Sequence, residues 1–197
     1  MNKMEKIIEM AKNNNGYVTT KEVKEAKINS AELTKLVRKG KLDRISRGYY
    51  CITNSFIDDY YKYQLKSKNC IFSHATALYF YDLSDRVPLY FDMTVPVGYH
   101  GSLSESESVL LHYVKKENLE LGLTYIESPF GMKLRVYDME RTICDIIKNK
   151  NHMDIEIFTK ALQRYARLKN KNLHRLMKYA KQLKVDKKVR EYMEVLL

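Results

Sequence analysis

The sequence predicts an α+β fold in which an N-terminal winged helix-turn-helix is followed by a mixed-sheet α+β domain with a helical C-terminal region. Three observations predict it. Short amphipathic helix patterns and a hairpin pattern fill the first fifty residues. Apolar runs bounded by turn residues follow between positions 70 and 137, as expected of strands. Beyond position 138 the chain shows only helical periodicity.

Local signals define the helices of the N-terminal segment. Gly16 suits the positive φ of a helix C-terminal cap, so the first helix is expected to end just before it. Thr19 and Glu22 have capping-box spacing, which predicts the start of a second helix. Asn29 and Glu32 repeat that spacing after a short turn and predict the start of a third helix. Two short helices joined by such a turn are typical of helix-turn-helix modules.

The third predicted helix has a face suited to the DNA major groove. Leu33, Leu36 and Val37 form its buried stripe, with small, polar and basic residues opposite. Small side chains permit close approach to base edges, and basic ones can meet phosphates or guanine. Gly48 then predicts a tight hairpin, which forms a wing. The predicted DNA-binding residues are Ser30, Ala31, Thr34, Lys35, Arg38 and Lys39 on the helix, and Arg44 and Arg47 on the wing.

The predicted organisation is a winged helix-turn-helix over residues 1–52, a tyrosine-rich linking helix within 53–67, and an α+β domain over 68–197. Strands in this second domain are predicted over residues 70–72, 90–97, 109–114, 121–126 and 132–136. Helices are predicted over residues 74–81, 139–148, 155–168, 173–184 and 187–196. Ser73 and Asp138 are the predicted N-caps of the first two of these helices.

The charge distribution indicates a polyanionic partner. The net charge is +11, and residues 1–50 carry 12 Lys or Arg against 6 Asp or Glu. Residues 151–197 carry 12 against 5, while residues 68–150 carry 9 against 11. Basic charge therefore lies at both ends of the chain, around a slightly acidic middle, and nucleic acid is the natural partner. The alternative is that lysine-rich helices only keep the protein soluble.

Composition limits the compartment and the chemistry. No stretch approaches the roughly 18 apolar residues that a membrane span needs. The N-terminus lacks the apolar run of a signal peptide, so we expect a cytoplasmic protein. The three cysteines, Cys51, Cys70 and Cys144, are scattered without paired spacing. This arrangement argues against a disulfide framework and against a zinc–thiolate site.

A second basic patch is predicted on the C-terminal helices. Basic residues recur there at steps of three and four, which aligns two or three of them on one exposed face of each helix. This face could extend a DNA footprint or contact RNA or a protein, and the alternative is a solvated lysine face. The candidate residues are Lys160, Arg164, Arg167, Lys171, Arg175 and Lys178.

Three segments together resemble the AbiEi family, the antitoxins of AbiE-type (type IV) toxin–antitoxin and abortive-infection systems. They are the wing over residues 42–50, the strand–helix segment over 71–79 that contains Ser73-His74, and the segment over 137–145 that contains Glu140-Arg141-Thr142 and Asp145. The wing by itself is weakly specific. The other two segments, in this order, are considerably more specific.

The resemblance implies an autoregulating antitoxin active in phage defence. Members of the family counteract a toxin with a nucleotidyltransferase fold, and a stable toxin–antitoxin complex is not required. They repress their own operon by binding inverted repeats of double-stranded DNA through the winged helix. The resemblance also implies that residues 68–197 carry the antitoxin activity. The protein could be a monomer in solution and bind DNA as two copies, since the sequence shows no heptad repeat or large apolar helix face that would predict a dimer.

No catalytic, metal or cofactor site is predicted, and the protein is expected not to be an enzyme. His74, His100 and His112 lack metal-ligand spacing with carboxylates or thiols. Nucleotide-binding and hydrolase fingerprints are absent from the sequence. The segment after Asp138 is interpreted as structural, with an N-cap and an ion pair between Arg141 and Asp145.

Two other functions compete with the antitoxin. One is a transcriptional regulator whose C-terminal domain senses a ligand or a protein and has no antitoxin role. The other is an enzyme that acts on nucleic acid, which requires convergent carboxylates or histidines that the sequence does not show.

Overall fold

The computed structural model describes residues 2–67 and 69–197. By its internal contacts the chain divides into two compact units. Unit 1 comprises Met1–Lys66 together with Glu127–Lys133, and unit 2 comprises Ser67–Ile126 together with Leu134–Leu197. Among the described residues, no helix combines the length and the apolar character needed to cross a bilayer.

Unit 1 follows the order helix, strand, helix, helix and hairpin, and then one further helix. Its helices are α1 (Lys3–Lys12), α2 (Thr20–Glu25), α3 (Ala31–Arg38) and α4 (Asp59–Leu65). Its strands are β1 (Tyr17–Thr19), β2 (Leu42–Ser46) and β3 (Tyr49–Ile52). The three strands form an antiparallel sheet in the order β1-β3-β2, so β1 adds a strand to the hairpin of β2 and β3.

The core of unit 1 confirms the amphipathic patterns that predicted its helices. One apolar cluster joins α1, α2, α3 and the hairpin. Its buried members are Ile7, Ala11, Val18, Val23, Ile28, Leu33, Leu36, Leu42 and Tyr50. Because α1, α2 and α3 each contribute one stripe to this cluster, the opposite faces of these three helices are left for solvent or a partner.

The two predicted capping boxes had different outcomes. At the start of α2 the Thr19 hydroxyl accepts from the Glu22 N–H, and the Glu22 carboxylate accepts from the Thr19 N–H, so this box is confirmed. At α3 the Asn29 side chain accepts from the Ala31 N–H at 2.9 Å, while the Glu32 carboxylate pairs with Lys35. The prediction of a second box was therefore wrong, because the N-cap of α3 is Ser30 and Glu32 lies at N2 instead of at N3.

Two segments outside the predicted winged helix group with unit 1. The predicted linking helix is shortened to α4, because the Asp58 side chain accepts from the Tyr61 N–H and caps the helix at that point. Tyr17 and Cys51 are buried with Met132, which lies in the Glu127–Lys133 segment. The Tyr17 hydroxyl also accepts from the Asp58 N–H at 2.9 Å. These contacts place the segment around Met132 in the same compact unit as β1 and β3.

Unit 2 contains a five-stranded sheet followed by a group of helices. Its strands are β4 (Ile71–Phe72), β5 (Phe91–Pro96), β6 (Val109–Val114), β7 (Leu123–Glu127) and β8 (Lys133–Tyr137). Its helices are α5 (His74–Phe80), α6 (Met139–Lys148), α7 (Ile155–Arg167), α8 (Leu173–Gln182) and α9 (Asp186–Leu196). The predicted α+β fold class, with a mixed sheet and a helical C-terminal region, is confirmed.

The sheet of unit 2 has the strand order β6-β5-β4-β8-β7. Strand β4 pairs antiparallel with β5 and parallel with β8, and β5 pairs parallel with β6. In the β5–β6 register Asp92 lies opposite Leu110 and Thr94 lies opposite His112. Because side chains alternate along a strand, Asp92 and Thr94 lie on the same face of the sheet.

The helices of unit 2 share one apolar cluster that runs from α5 to α9. Its fully buried members include Leu78, Ile143, Ile146, Tyr165 and Val189. Ser73 occupies the predicted N-cap position of α5, but its side chain makes no capping hydrogen bond there. The Ser73 hydroxyl lies instead 2.8 Å from the Thr94 hydroxyl and 2.9 Å from the His74 ring.

Candidate nucleic-acid interface

Helix α3 presents the predicted face to solvent. Ala31, Thr34, Lys35 and Arg38 are exposed and spaced so that they lie along one side of the helix, while Leu33 and Leu36 are buried opposite. Ser30 is half-buried before the helix start, and Lys39 is exposed just after its end. The Lys35 ammonium forms an exposed ion pair with Glu32 at 2.7 Å.

The hairpin of β2 and β3 presents the two predicted wing arginines. Arg44 lies on β2 opposite Tyr50, and Arg47 lies in the turn before Gly48. Both arginines are exposed. Gly48 has a φ of 82° in this turn, a backbone conformation that residues other than glycine rarely adopt.

Three arginines of this surface keep their charge available for a partner. Arg38, Arg44 and Arg47 form no ion pair within the described part of the chain, and all three are exposed. An α-helix of this size fits the major groove, and a neighbouring basic hairpin can contact the flanking backbone or minor groove. We call the exposed residues of α3 together with Arg44 and Arg47 the basic face of unit 1.

The candidate patch on the C-terminal helices has a different character, because four of its six residues have partners within unit 2. The Lys160 ammonium pairs with Glu156 at 2.8 Å, and the Lys171 ammonium donates to the Leu168 carbonyl at 3.0 Å. Arg164 pairs with Asp85, and its guanidinium holds the pKa of that carboxyl below its ordinary value.

Of the remaining patch residues, two keep an uncompensated charge and the third, Arg175, has a buried partner. Arg167 and Lys178 are exposed and make no ion pair among the described residues. Arg175 bonds the buried Glu140 carboxylate through Nε at 2.9 Å. The patch therefore exposes less uncompensated charge than its sequence indicates.

The comparisons with known proteins bear on the N-terminal module. Residues 5–53 match the family model described as a transcriptional regulator, AbiEi antitoxin. This match confirms the AbiEi resemblance for the segment that carries the basic face of unit 1.

Two further comparisons concern the whole chain. No curated protein matches the chain. A crystal structure of the RV2827C protein from Mycobacterium tuberculosis is similar with a TM-score of 0.49 and 12% sequence identity, and the likeness covers 95% of this chain and 79% of that one. This likeness is too distant to indicate a function.

Outside the AbiEi-matching segment, α6 begins with a buried polar network. The Asp138 carboxylate accepts from the Arg141 N–H at 2.8 Å, as expected of an N-cap. Glu140 is fully buried and accepts from the Asn172 N–H at 2.9 Å as well as from Arg175. These contacts join α6 to α8, so Glu140 and Arg175 have a structural role in unit 2.

The position of Arg175 gives a testable expectation. Arg175→Gln should lower the free energy of unfolding by about 1–3 kcal/mol, because the buried Glu140 carboxylate loses its charged donor. We expect the lower end of that range, since the Arg175 side chain is 42% exposed and water can replace part of the interaction. Lys178→Gln on the same helix is the matched control, and urea unfolding measures both. Wild-type stability in Arg175→Gln would show that the pair contributes nothing measurable.

The structure brings together polar residues that sequence spacing kept apart. His74, Asp92 and His112 lie close enough for their ligand atoms to be within 4.8 Å of one another. The pKa of His74 is lowered well below its ordinary value, mainly because the ring is buried and secondly because His112 lies beside it. Sequence spacing does not indicate this cluster, because its members lie on α5, β5 and β6. They become neighbours only through the pairing of β5 with β6 and the packing of α5 against β5.

Proposed function

We propose that this protein is a DNA-binding transcriptional autorepressor that also acts as an antitoxin. The observation that carries the proposal is the basic face of unit 1, within a segment that matches the transcriptional regulator and AbiEi antitoxin family. The surface has the shape, the exposure and the charge that a duplex requires.

In the proposed complex, α3 enters the major groove and the wing follows the backbone. Ala31 and Thr34 are small enough to allow the helix axis to approach the base edges. Arg38 is one turn further along the same face and can reach guanine or a phosphate, while Arg44 and Arg47 bind phosphates beside the groove. Such a module buries only about 600–1,000 Å² of protein surface on DNA, so two copies on an inverted repeat are expected for tight binding.

Binding of the full chain to the DNA upstream of its own gene tests the first half of the proposal. Fluorescence anisotropy at fixed salt should show tighter binding to the intact inverted repeat than to a duplex with one half-site scrambled. Analytical ultracentrifugation should find two chains on the intact repeat. Equal affinity for both duplexes and for unrelated DNA would show that the protein binds DNA without sequence specificity and would contradict the proposal.

The antitoxin half of the proposal rests on the family match and on the resemblance. Family members antagonise a toxin with a nucleotidyltransferase fold, and we propose the same partner class here, without a required stable complex. Residues 68–197 are proposed to carry this activity, and no catalytic step by the antitoxin is invoked.

Growth rescue separates the two activities. The adjacent reading frame is induced from a heterologous promoter, alone, with the wild-type chain, and with a chain in which Arg38, Arg44 and Arg47 are replaced by alanine. Rescue by both chains is the expected result, because the substitutions remove DNA contacts and leave unit 2 intact. A neighbour that is not toxic, or a toxic neighbour that neither chain antagonises, would contradict the antitoxin assignment.

A second candidate function is a regulator with a ligand-sensing unit 2. The observation that favours it is a cavity of about 450 Å³ in unit 2, lined in part by His74, Asp92 and His112. Retained operator binding together with failed rescue would select this alternative.

A further inference from the structure

Strand β6 is the outermost strand of the sheet in unit 2, and its outer edge is open. Within the described part of the chain it pairs only with β5. It contains no Asp, Glu, Lys, Arg or Pro, and its Leu110 and Tyr113 side chains are 48% and 53% exposed. Natural proteins usually protect such an edge with lysine, proline, a bulge or a covering segment, because an open apolar edge pairs readily with another chain.

The hydrogen bonds between β5 and β6 identify the backbone groups that point to the open edge. The Phe91 N–H donates to the Ser108 carbonyl, and the Val97 N–H donates to the Val114 carbonyl, each at 2.8 Å. Because the direction of these groups alternates along a strand, the groups of every second residue of β6 point away from β5. The residues with outward-facing groups are Val109, Leu111 and Tyr113.

Most of these outward-facing groups are available to a partner. The N–H and C=O groups of Leu111 and Tyr113 form no hydrogen bond among residues 2–67 and 69–197. The Val109 N–H donates to the Ser106 carbonyl at 3.2 Å, which leaves the Val109 carbonyl available. A further strand laid along β6 would satisfy these groups and cover the apolar side chains beside them.

The residues that flank β6 carry opposite charges at its two ends. Glu105 and Glu107 precede the strand, Lys115 and Lys116 follow it, and all four are exposed. Lys115 has only a loose, exposed partner in Glu117 at 3.9 Å. When two identical strands pair antiparallel, the beginning of each lies opposite the end of the other. The acidic end of one copy would therefore meet the basic end of its partner, twice in each pair.

We propose that β6 pairs antiparallel with β6 of a second copy of this chain, about a two-fold axis at Leu111, so that the sheets of two copies of unit 2 become continuous. Such a contact is isologous and closes at two copies. A pair of six-residue strands buries less area than a standard interface, so association is expected at micromolar concentrations. The pairing is tested without DNA, so its failure would leave the proposed operator binding standing.

The register follows from the side chains that it brings together. With the axis at Leu111, this residue lies opposite itself, Val109 lies opposite Tyr113, and Glu107 lies opposite Lys115. Moving the axis one residue toward the N-terminus sets Tyr113 against Glu107. Moving it one residue toward the C-terminus sets Val109 against Lys115. The register centred on Leu111 is therefore favoured, since apolar residues face apolar residues and acid faces base.

Sedimentation and amide hydrogen exchange of the full chain test the pairing. Analytical ultracentrifugation across the micromolar range should show a reversible monomer–dimer equilibrium. The N–H groups of Leu111 and Tyr113 should exchange rapidly in dilute protein and slowly where the dimer forms. The N–H groups of Leu110 and His112 face β5 and should be protected at both concentrations. A monomer at every concentration, or a dimer that leaves the exchange of Leu111 and Tyr113 unchanged, would overturn the proposal.

Charge reversal tests the register with substitutions of exposed side chains. Glu107→Lys sets lysine against Lys115 and should raise the dissociation constant of the dimer by about tenfold, because each dimer contains the pair twice. Glu107→Lys combined with Lys115→Glu should restore dimerisation, since opposite charges face each other again. Glu120→Lys is the matched control, because it makes the same change of charge at an exposed position outside β6.

The outcome of the charge series decides between this register and a general effect of charge. Equal weakening by Glu107→Lys and Glu120→Lys would overturn the assigned contact, because it would depend on net charge alone. Failure of the double variant to recover dimerisation would overturn the register. Circular dichroism melts confirm that each variant is folded before sedimentation.

Discussion

Arg141→Met is expected to lower the free energy of unfolding by about 3–5 kcal/mol, the largest stability effect of any single substitution considered for this protein. Arg141 is a fully buried arginine on α6. Its Nε donates to both carboxylate oxygens of Asp145 at 3.0 Å, and its guanidinium lies 4.2 Å from the centre of the Tyr137 ring. Methionine preserves much of the side-chain volume but none of these polar interactions.

The cost arises from the groups that the substitution leaves behind. Arg141 Nη1 donates to the carbonyls of Asn118 and Leu121, each at 2.8 Å, and both would lose their donor. Asp145 would become a buried carboxylate without a cation. Burial already raises the pKa of Asp145, and Arg141 acts against that shift, so removal of the arginine raises this pKa further.

Urea unfolding with two further variants tests this account. Arg86→Met removes exposed pairs with Asp154 and Glu156 and should cost about 0–1 kcal/mol. Arg141→Met combined with Asp145→Leu should recover part of the stability, because no unpaired charge remains in the core. A single variant as stable as Arg86→Met would show that the buried pair contributes little.

Replacing Arg38, Arg44 and Arg47 together with alanine is expected to cause the largest functional loss. Each arginine that contacts a phosphate contributes about 0.9 to the slope of log affinity against log salt, so three contacts should lower the slope by about 2.7. If Arg38 contacts guanine, its loss alone should cost about 1–3 kcal/mol of discrimination at that base pair. Operator affinity should therefore fall by more than about tenfold at physiological salt.

A control of equal charge distinguishes contact from general electrostatics. Lys3, Lys6 and Lys12 are exposed on α1, and replacing them with alanine removes the same three charges from unit 1. This control should keep most of the operator affinity and of the salt slope. Equal losses in the two triple variants, measured by anisotropy across a salt series, would mean that net charge rather than the basic face of unit 1 holds the DNA.

Sequence alone determined the local elements of the protein. Helix α6 occupies Met139–Lys148 and strand β6 occupies Val109–Val114, both as predicted. These elements are predictable because helical and strand periodicities, together with caps such as Thr19 and Asp138, depend on residues only a few positions apart. The exposed face of α3 follows from the same periodicity, so its residues could be named without a structure.

Only the tertiary structure decided which distant residues meet. The strand order β6-β5-β4-β8-β7, the pairing of Glu140 with Arg175 and the convergence of His74 and His112 on Asn149 all join segments far apart in the chain. Periodicity assigns a residue to a face but does not name the face that packs against it. Strand pairing and helix packing make that choice through the burial of the whole apolar surface. For this reason the sequence predicted neither the pairing of Arg175 with Glu140 nor the histidine cluster.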